Sequence, residues 1–257
     1  MYHELTPVIS NHEVMPGVHL MWVESSDIPS AAVPGQFIMI SCDSGLERLL
    51  RRPISIHQAG TKSMAFLFAV AGAGTEWLAE KKAGDEIDLL GPMGNGFTIS
   101  SKSHNLLLVA GGMGIAPLYF LTQSALKKDI RVKLLVGART ACQICPETLM
   151  PEGCDIVITT EDGTAGMQGL VTALLPEYAD WADQVFACGP LPLYKSMAKH
   201  YRTQFKEKPV EISLEVRMGC GLGSCYACTV KTRQGLKQVC KDGPVFNMND
   251  IFWDEML

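Results

Sequence analysis

Short apolar runs broken by turns fill the first hundred residues. Val18–Val23, Gln36–Ile40 and Met64–Phe68 each read as a strand. Turn signals lie at Val33-Pro34-Gly35-Gln36, Ala59-Gly60 and Lys82-Ala83-Gly84-Asp85. Short strands at this spacing predict a small antiparallel barrel. One helix interrupts it, from Thr75 to about Lys82, with Thr75 as its N-cap and Gly84 just beyond its end.

The pattern changes near Ser100. Leu106–Ala110, Val132–Val136, Ile156–Thr159 and Val185–Cys188 are continuous apolar runs, not alternating ones. Helical stretches separate them, the first from about Ala116 to Lys127. Buried strands alternating with helices predict a parallel sheet covered on both faces. Lys206-Glu207-Lys208-Pro209 reads as a boundary, and a tail rich in cysteine and glycine follows it. The expected fold class is therefore α+β and multidomain. An antiparallel β-barrel spans residues 1–100, a parallel α/β domain 101–208, and a small C-terminal module 209–257.

Composition narrows the classes. Hydrophobic residues make up 47% and charged residues 19% of 257, which excludes a disordered or fibrous chain. At roughly 100–200 residues per domain, that length suits one large domain or two modest ones. The balance of 22 basic against 27 acidic residues gives a net charge of -5, which argues against a basic nucleic-acid-binding surface. No apolar run reaches the roughly 18 residues of a membrane-spanning helix. The N-terminal MYHELTPVISNHEV lacks the basic start and apolar core of a signal peptide. A cytoplasmic soluble protein is expected, with neither nucleic acid nor membrane as partner.

The nine cysteines need an explanation. An odd count without an export signal argues against a disulfide framework. Cys220, Cys225, Cys228 and Cys240 crowd into the tail with spacing C-x4-C-x2-C and then a distant cysteine, the plant-type [2Fe–2S] arrangement. Such a cluster needs four thiolates converging on two irons and a loop wrapped closely round the sulfides. Gly219, Gly221 and Gly223 permit that loop, and its amides can donate to the sulfurs. The alternative is structural zinc. Zinc sites usually pair two C-x2-C knuckles, whereas only Cys225 and Cys228 have that spacing in the tail.

Two further segments suit nucleotide cofactors. In Arg51-Arg52-Pro53-Ile54-Ser55, Arg52 can contact a pyrophosphate bidentately and Ser55 can hydrogen-bond a cofactor ring. Downstream, Gly72-Ala73-Gly74-Thr75 leads glycines into a helix N-terminus, an anion site. The turn Gly91–Phe97 closes the barrel and is expected to line the same cleft. After the strand Leu106–Ala110, Gly111-Gly112-Met113-Gly114-Ile115-Ala116-Pro117 supplies strand, glycine turn and helix, the dinucleotide context, with proline in place of the last glycine of the usual fingerprint. Gly112 and Gly114 are expected to let a dinucleotide approach closely; a tight strand-to-helix turn is the plainer alternative. Cys188-Gly189-Pro190 ends another strand of that sheet, and ligands bind at such carboxyl ends.

Other residues carry less. Cys142 and Cys145 form a second C-x2-C, with Cys154 at no recognised spacing; free thiols are expected, a redox pair or second metal site being the other reading. The six histidines are scattered. Glu161-Asp162-Gly163 reads equally as a ribose contact or an exposed acidic turn.

The order R-P-I-S, G-G-x-G-I-A-P, C-G-P resembles the ferredoxin–NADP reductase superfamily. Val216 through Gly221, and Cys240 through Phe246 with its D-G-P-V-F, resemble the dihydroorotate dehydrogenase B electron-transfer subunits along essentially the whole chain. The resemblance implies FAD contacts at Arg52, Pro53, Ile54, Ser55, Leu67, Phe68, Ala69, Gly74 and Thr75. It also implies a [2Fe–2S] cluster on Cys220, Cys225, Cys228 and Cys240, and NAD as co-substrate. Its further implications are a separate catalytic dihydroorotate dehydrogenase subunit carrying FMN and an assembly of two catalytic and two electron-transfer subunits. The chain departs from the family at Leu67-Phe68-Ala69, where an Ile-Tyr-Arg-like run is common. Backbone contacts survive that change, but a Tyr hydroxyl or Arg contact does not.

Overall fold

The computed structural model describes residues 1–42, 49–205 and 208–256, so Lys206 and Glu207 of the expected boundary lie outside the described residues. In chain order the barrel contains β1 (Tyr2–Met15), β2 (Val18–Glu24), α1 (Ile28–Ala31), β3 (Phe37–Ile40), β4 (Arg52–Ser55), β5 (Gln58–Ala59), β6 (Ser63–Ala69), α2 (Ala73–Ala79) and β7 (Glu86–Met93). Its strands form one seven-stranded sheet in the order β4-β3-β7-β1-β2-β6-β5. Every pairing is antiparallel, and the sheet curls into a half-barrel that brings β4 beside β6. The inner face buries Met21, Val23, Ile38, Ile40, Met64, Phe66 and Leu89.

Two expectations for this region need correction. Among the described residues two short helices interrupt the barrel, not one. The second starts at Ala73, so Thr75 is not its N-cap. The Thr75 hydroxyl reaches back from the third helical position, accepting from the Ala71 and Gly72 amides at 2.8 and 3.3 Å. That is the task of the inner member of a capping box.

The second layer continues with β8 (Asn105–Gly111), α3 (Ile115–Leu126), β9 (Arg131–Ala138), β10 (Asp155–Thr160), β11 (Met167–Gln168), α4 (Leu175–Tyr178), β12 (Gln184–Cys188) and α5 (Leu191–Gln204). The tail adds β13 (Val210–Ser213), β14 (Thr229–Thr232), β15 (Gly235–Gln238), α6 (Val239–Asp242) and β16 (Val245–Asn247). A second seven-stranded sheet runs β11-β10-β9-β8-β12-β13-β16. It is parallel except for its last strand, since β16 lies antiparallel to β13. Leu106 to Ala110 are fully buried in its central strand, as a continuous apolar run requires. The tail thus supplies both strands at one edge of the nucleotide sheet.

The parts share cores. Phe37, Met39 and Met93 of the barrel pack in one apolar cluster with Leu107 and Val109 of the sheet and with Cys228, Val239 and Cys240 of the tail. A buried polar tie joins the barrel to α3. His57, 1% exposed, donates Nδ1–H to the Ala116 carbonyl at 2.9 Å and packs on Tyr119, with ring centroids 4.5 Å apart.

Burial lowers the pKa of His57 from its ordinary 6.5 to about 4, although the Ala116 contact works to raise it. Between those two values the unfolded chain binds more protons than the folded one. Stability should therefore climb with pH across that window and level off above it, a span worth roughly 3 kcal/mol. In His57→Gln, which keeps a donor but cannot titrate, the slope should flatten. Urea midpoints measured across the window check this, and an unchanged slope would refute it.

Candidate functional site

Two clefts, an adjoining recess lined by Arg52 and Glu215, and one loop hold the candidate residues. The first cleft, about 340 Å³, lies between barrel, sheet and tail. Pro53, Ile54 and Ser55 of β4 line it, with Leu67, Phe68 and Ala69 of β6, and Thr75. Strand β4 can offer that row because it pairs only with β3 and leaves its other edge open. Arg52 and Gly74 sit beside this row, against each other: a Cβ on Gly74 would lie 2.5 Å from Arg52 Nε. The absent side chain is what lets the guanidinium lie across the start of α2. A cation over a capped helix start, next to an apolar slot, fits a dinucleotide flavin with its pyrophosphate at Arg52.

The far wall of this cleft was not foreseen from sequence. It consists of Met113 and Ala116 from the glycine turn and α3, and Leu214, Glu215, Val216, Met218 and Pro244 from the tail. Conversely, the turn after Gly91 does not line it. Gly91 to Met93 complete β7, and Asn95 then runs to the tail, its N–H donating to the Gly243 carbonyl at 2.5 Å and its Nδ2 to the Asp242 carbonyl at 2.9 Å.

Cys188 ends β12 behind this wall, 1% exposed. Its Sγ lies 3.7 Å from both the Ser213 carbonyl and Glu215 Oε1. Burial first, and the Glu215 charge second, push the thiol well above its ordinary pKa, so it is a protonated donor. Glu215 is exposed to the cleft, yet protein packed round its carboxyl raises its pKa while the Cys188 bond opposes that.

The second cleft, about 360 Å³, opens at the carboxyl ends of the parallel strands. Gly111 and Gly137, at the ends of β8 and β9, and Glu161, just after β10, line it with Gly112, Arg139, Thr172, Pro190 and Ser196. A crevice at strand carboxyl ends where the order reverses is where nucleotides bind in such sheets. Of the residues expected here, Gly112 lines the cleft; Gly114, Cys188 and Gly189 do not. A Cβ on Gly114 would meet the Cys188 carbonyl oxygen at 1.8 Å. Its smallness serves the packing of two strand-to-helix turns, which corrects the expectation that it makes room for the dinucleotide. Beside the cleft, Asp162 folds back on Thr164, accepting from its N–H at 3.0 Å and its hydroxyl at 2.6 Å.

The loop carries four thiols in two pairs, Cys220 beside Cys225 and Cys228 beside Cys240. Amides surround them. Leu222 and Ser224 donate to Cys220 Sγ, both at 3.3 Å, Gly223 donates to Cys240 Sγ at 3.1 Å, and Cys240 N–H to Cys228 Sγ at 3.4 Å. Burial works to raise the Cys220 thiol, but its donors together outweigh that and bring it to about 6; burial and Cys228 push Cys240 up to about 12. Among the described residues no three His, Cys, Asp or Glu side chains converge tightly enough for a single metal ion. Two thiol pairs under a canopy of amides fit a two-iron cluster better than one tetrahedral zinc. The loop is seated by Gly221, whose φ is +73° and whose Cβ would lie 2.7 Å from Met39 Cγ of the barrel. Met39 faces Pro53 across the β3–β4 ladder.

The cysteines of the second C-x2-C, and Cys154 near them, differ in exposure. Cys142 is exposed with Sγ 3.0 Å from the Thr140 hydroxyl, while burial pushes Cys145 and Cys154 up to about 11, far from thiolate.

The family model for the iron–sulfur cluster binding domain of dihydroorotate dehydrogenase B matches residues 215–252. The chain is 37% identical over 258 residues to the dihydroorotate dehydrogenase B (NAD(+)) electron transfer subunit of Desulforamulus reducens, covering 96% of this chain and 97% of that one. It is 36% identical over 253 residues to the subunit of the same name from Bacillus cereus, covering 95% and 96%. Among solved structures, it is similar to an NADH-dependent reduced ferredoxin–NADP oxidoreductase studied for electron bifurcation, with TM-score 0.87, 30% identity and coverage of 98% and 91%. The ferredoxin reductase of carbazole 1,9a-dioxygenase shares the fold, with TM-score 0.68, 20% identity and coverage of 82% and 68%.

The two turn glycines should respond to substitution with losses of very different size. Gly114→Ala forces a Cβ into the Cys188 carbonyl and should lower the melting temperature sharply. Gly112→Ala, with open space around its Cβ, should cost only the left-handed backbone penalty of about 1–2 kcal/mol. Thermal melts of both variants check this; equal losses would contradict it.

Proposed function

The chain belongs to the family of dihydroorotate dehydrogenase B electron transfer subunits, and from that premise we propose how its parts divide the work. It is the electron-transfer component of a flavin and iron–sulfur oxidoreductase of pyrimidine biosynthesis, working with FAD, a [2Fe–2S] cluster and NAD beside a catalytic partner subunit. When bound, these groups supply one-electron relay, conversion to a two-electron hydride equivalent, and hydride acceptance.

The chain's own residues bind and orient. Cys220, Cys225, Cys228 and Cys240 hold the cluster. Arg52, with Gly74 and Thr75, neutralises the FAD pyrophosphate. Pro53, Ile54 and Ser55 run along the flavin ring, and Leu67, Phe68 and Ala69 form the wall of the slot, Leu67 and Phe68 each 3% exposed and so excluding water. Gly112 serves the NAD cleft, with Gly114, Cys188 and Gly189 fixing the two turns that shape it. The Cys188 thiol, held protonated behind the cleft, keeps a hydrogen bond on Glu215. The barrel over 1–100 is the flavin domain and 101–208 the NAD domain. Residues 209–257 are the cluster module, which lends β13 and β16 to the NAD domain's sheet.

The observation that carries this reading is the seating of Gly221 on Met39, since Met39 pairs with Pro53. A single strand separates the cluster loop from the flavin strand. The partner is taken to be the catalytic subunit bearing FMN, in a two-plus-two assembly in the cytoplasm. It would dock on the cluster loop, where Leu222 and Tyr226 stand 48% and 66% exposed. Among the described residues no helix is long and apolar enough to cross a membrane. A second reading, a subunit of a ferredoxin–NADP transhydrogenase, is favoured by the likeness at TM-score 0.87. Dihydroorotate-dependent NAD reduction with the matching catalytic subunit separates the two.

Half-reactions test the electron path. Cys228→Ser should still exchange hydride between NADH and FAD, yet fail to pass electrons from the catalytic subunit to NAD. Stopped-flow reduction of FAD from each side measures both. If the variant binds its partner and carries dihydroorotate electrons to NAD at the wild-type rate, the cluster is not an obligatory relay.

Arg52→Ala should weaken FAD on the order of 10- to 100-fold, since a charge-assisted bidentate contact is worth roughly 1.5–3 kcal/mol. Titration of the flavin-free protein measures it, and an unchanged dissociation constant would remove Arg52 from the site.

A further inference from the structure

Asn11 lies on β1, a strand that contributes nothing to the lining of either cleft. Its side chain nevertheless reaches two elements of the flavin site. The amide nitrogen sits 3.1, 3.0 and 2.9 Å from the carbonyls of Leu78, Ala79 and Lys81, at the end of α2. The amide oxygen accepts from His19 Nδ1 at 3.3 Å. The His19 ring in turn stacks on Phe68, with centroids 5.7 Å apart and planes 20° from parallel. Phe68 is a wall of the flavin slot, and α2 carries Gly74 and Thr75 beneath and beside Arg52.

A seven-residue helix has too few internal bonds to hold its own position, so its placement is set by ties at its ends. Thr75 ties the start, through the Ala71 and Gly72 backbone. Asn11 ties the finish, giving donors to the Ala79 and Lys81 carbonyls and sharing the Leu78 carbonyl with the Lys81 N–H. Because the same side chain also holds His19 against Phe68, it fixes the helix that presents the phosphate subsite relative to the strand that walls the ring subsite.

We infer that Asn11 is a positioning residue for FAD, setting the separation of these two subsites without touching the cofactor. The inference rests on the flavin reading of this cleft. It is tested by FAD titration of the flavin-free protein as wild type, Asn11→Ala, Asn11→Asp, Arg52→Ala and the two doubles with Arg52→Ala. Asn11→Asp keeps the size of the side chain and removes its donors, so it reads the same property should the alanine variant fold poorly.

The expected result is a dissociation constant raised about tenfold by either Asn11 substitution, about 1.4 kcal/mol. In the doubles the two effects should fall well short of multiplying, because Asn11 acts through the helix that Arg52 covers. A merely structural role elsewhere in the barrel would leave the two effects independent. Wild-type affinity in both Asn11 variants, or full multiplication in the doubles, would overturn the inference while leaving the flavin reading intact. Failure of the wild-type chain to bind FAD would overturn both.

Discussion

A glycine pressed against a methionine governs how the three parts of this chain meet. With Gly221 at φ +73° and no side chain, the cysteine loop sits directly on Met39. Met39 belongs to the barrel strand that pairs with Arg52–Ser55, and it shares an apolar core with Cys228 and Cys240. Electron transfer demands short separations held constant. Here they are held by close packing, which resists deformation far better than a linker would. A larger residue at 221 would meet both the left-handed backbone and the Met39 and Met93 side chains, so the loop or those side chains would have to move.

On the other side, hydrogen bonds perform the equivalent fastening. The Tyr194 hydroxyl, from α5, accepts from Gly189 N–H at 3.0 Å and donates to the Ser213 carbonyl at 2.5 Å. It thereby joins the Cys188–Pro190 turn to the strand that leads into the cluster module. Its ring stacks on Trp253 near the end of the chain, with centroids 5.4 Å apart. Burial raises the Tyr194 pKa far above its ordinary value, so the hydroxyl stays a neutral, two-way connector. Nucleotide cleft and cluster module are thus braced by a side chain that lines neither cleft.

What could be read from the residues and what could not differ for physical reasons. The cysteine spacing and the continuous apolar strands are local signals, and they identified the cluster loop and the parallel sheet. Strand β1 escaped notice because its sequence, with Pro7 and many polar residues, has little apolar content; it is held by partners on both edges. Strand β13 is only four residues long and follows Pro209, so it read as the start of a tail. Met113, Arg139 and Glu215 carry no spacing signal. Only the fold brings them to the clefts. The smallness of Gly114 is legible in the glycine turn, but the Cys188 carbonyl behind it is not, because only the fold brings the two turns together.

The antiparallel β16 at the rim of the sheet has a consequence for synthesis. Until Val245–Asn247 has left the ribosome, the outer edge of β13 has no strand to cover it. An uncovered edge of a hydrophobic sheet invites pairing with another chain. The nascent protein is therefore exposed to aggregation in the interval after β13 has emerged and before β16 has. The four-cysteine set is complete at Cys240, a few residues before β16 can close the sheet. A chain ending at Pro244 would lose its protected edge even though every residue named as lining the flavin cleft was in place.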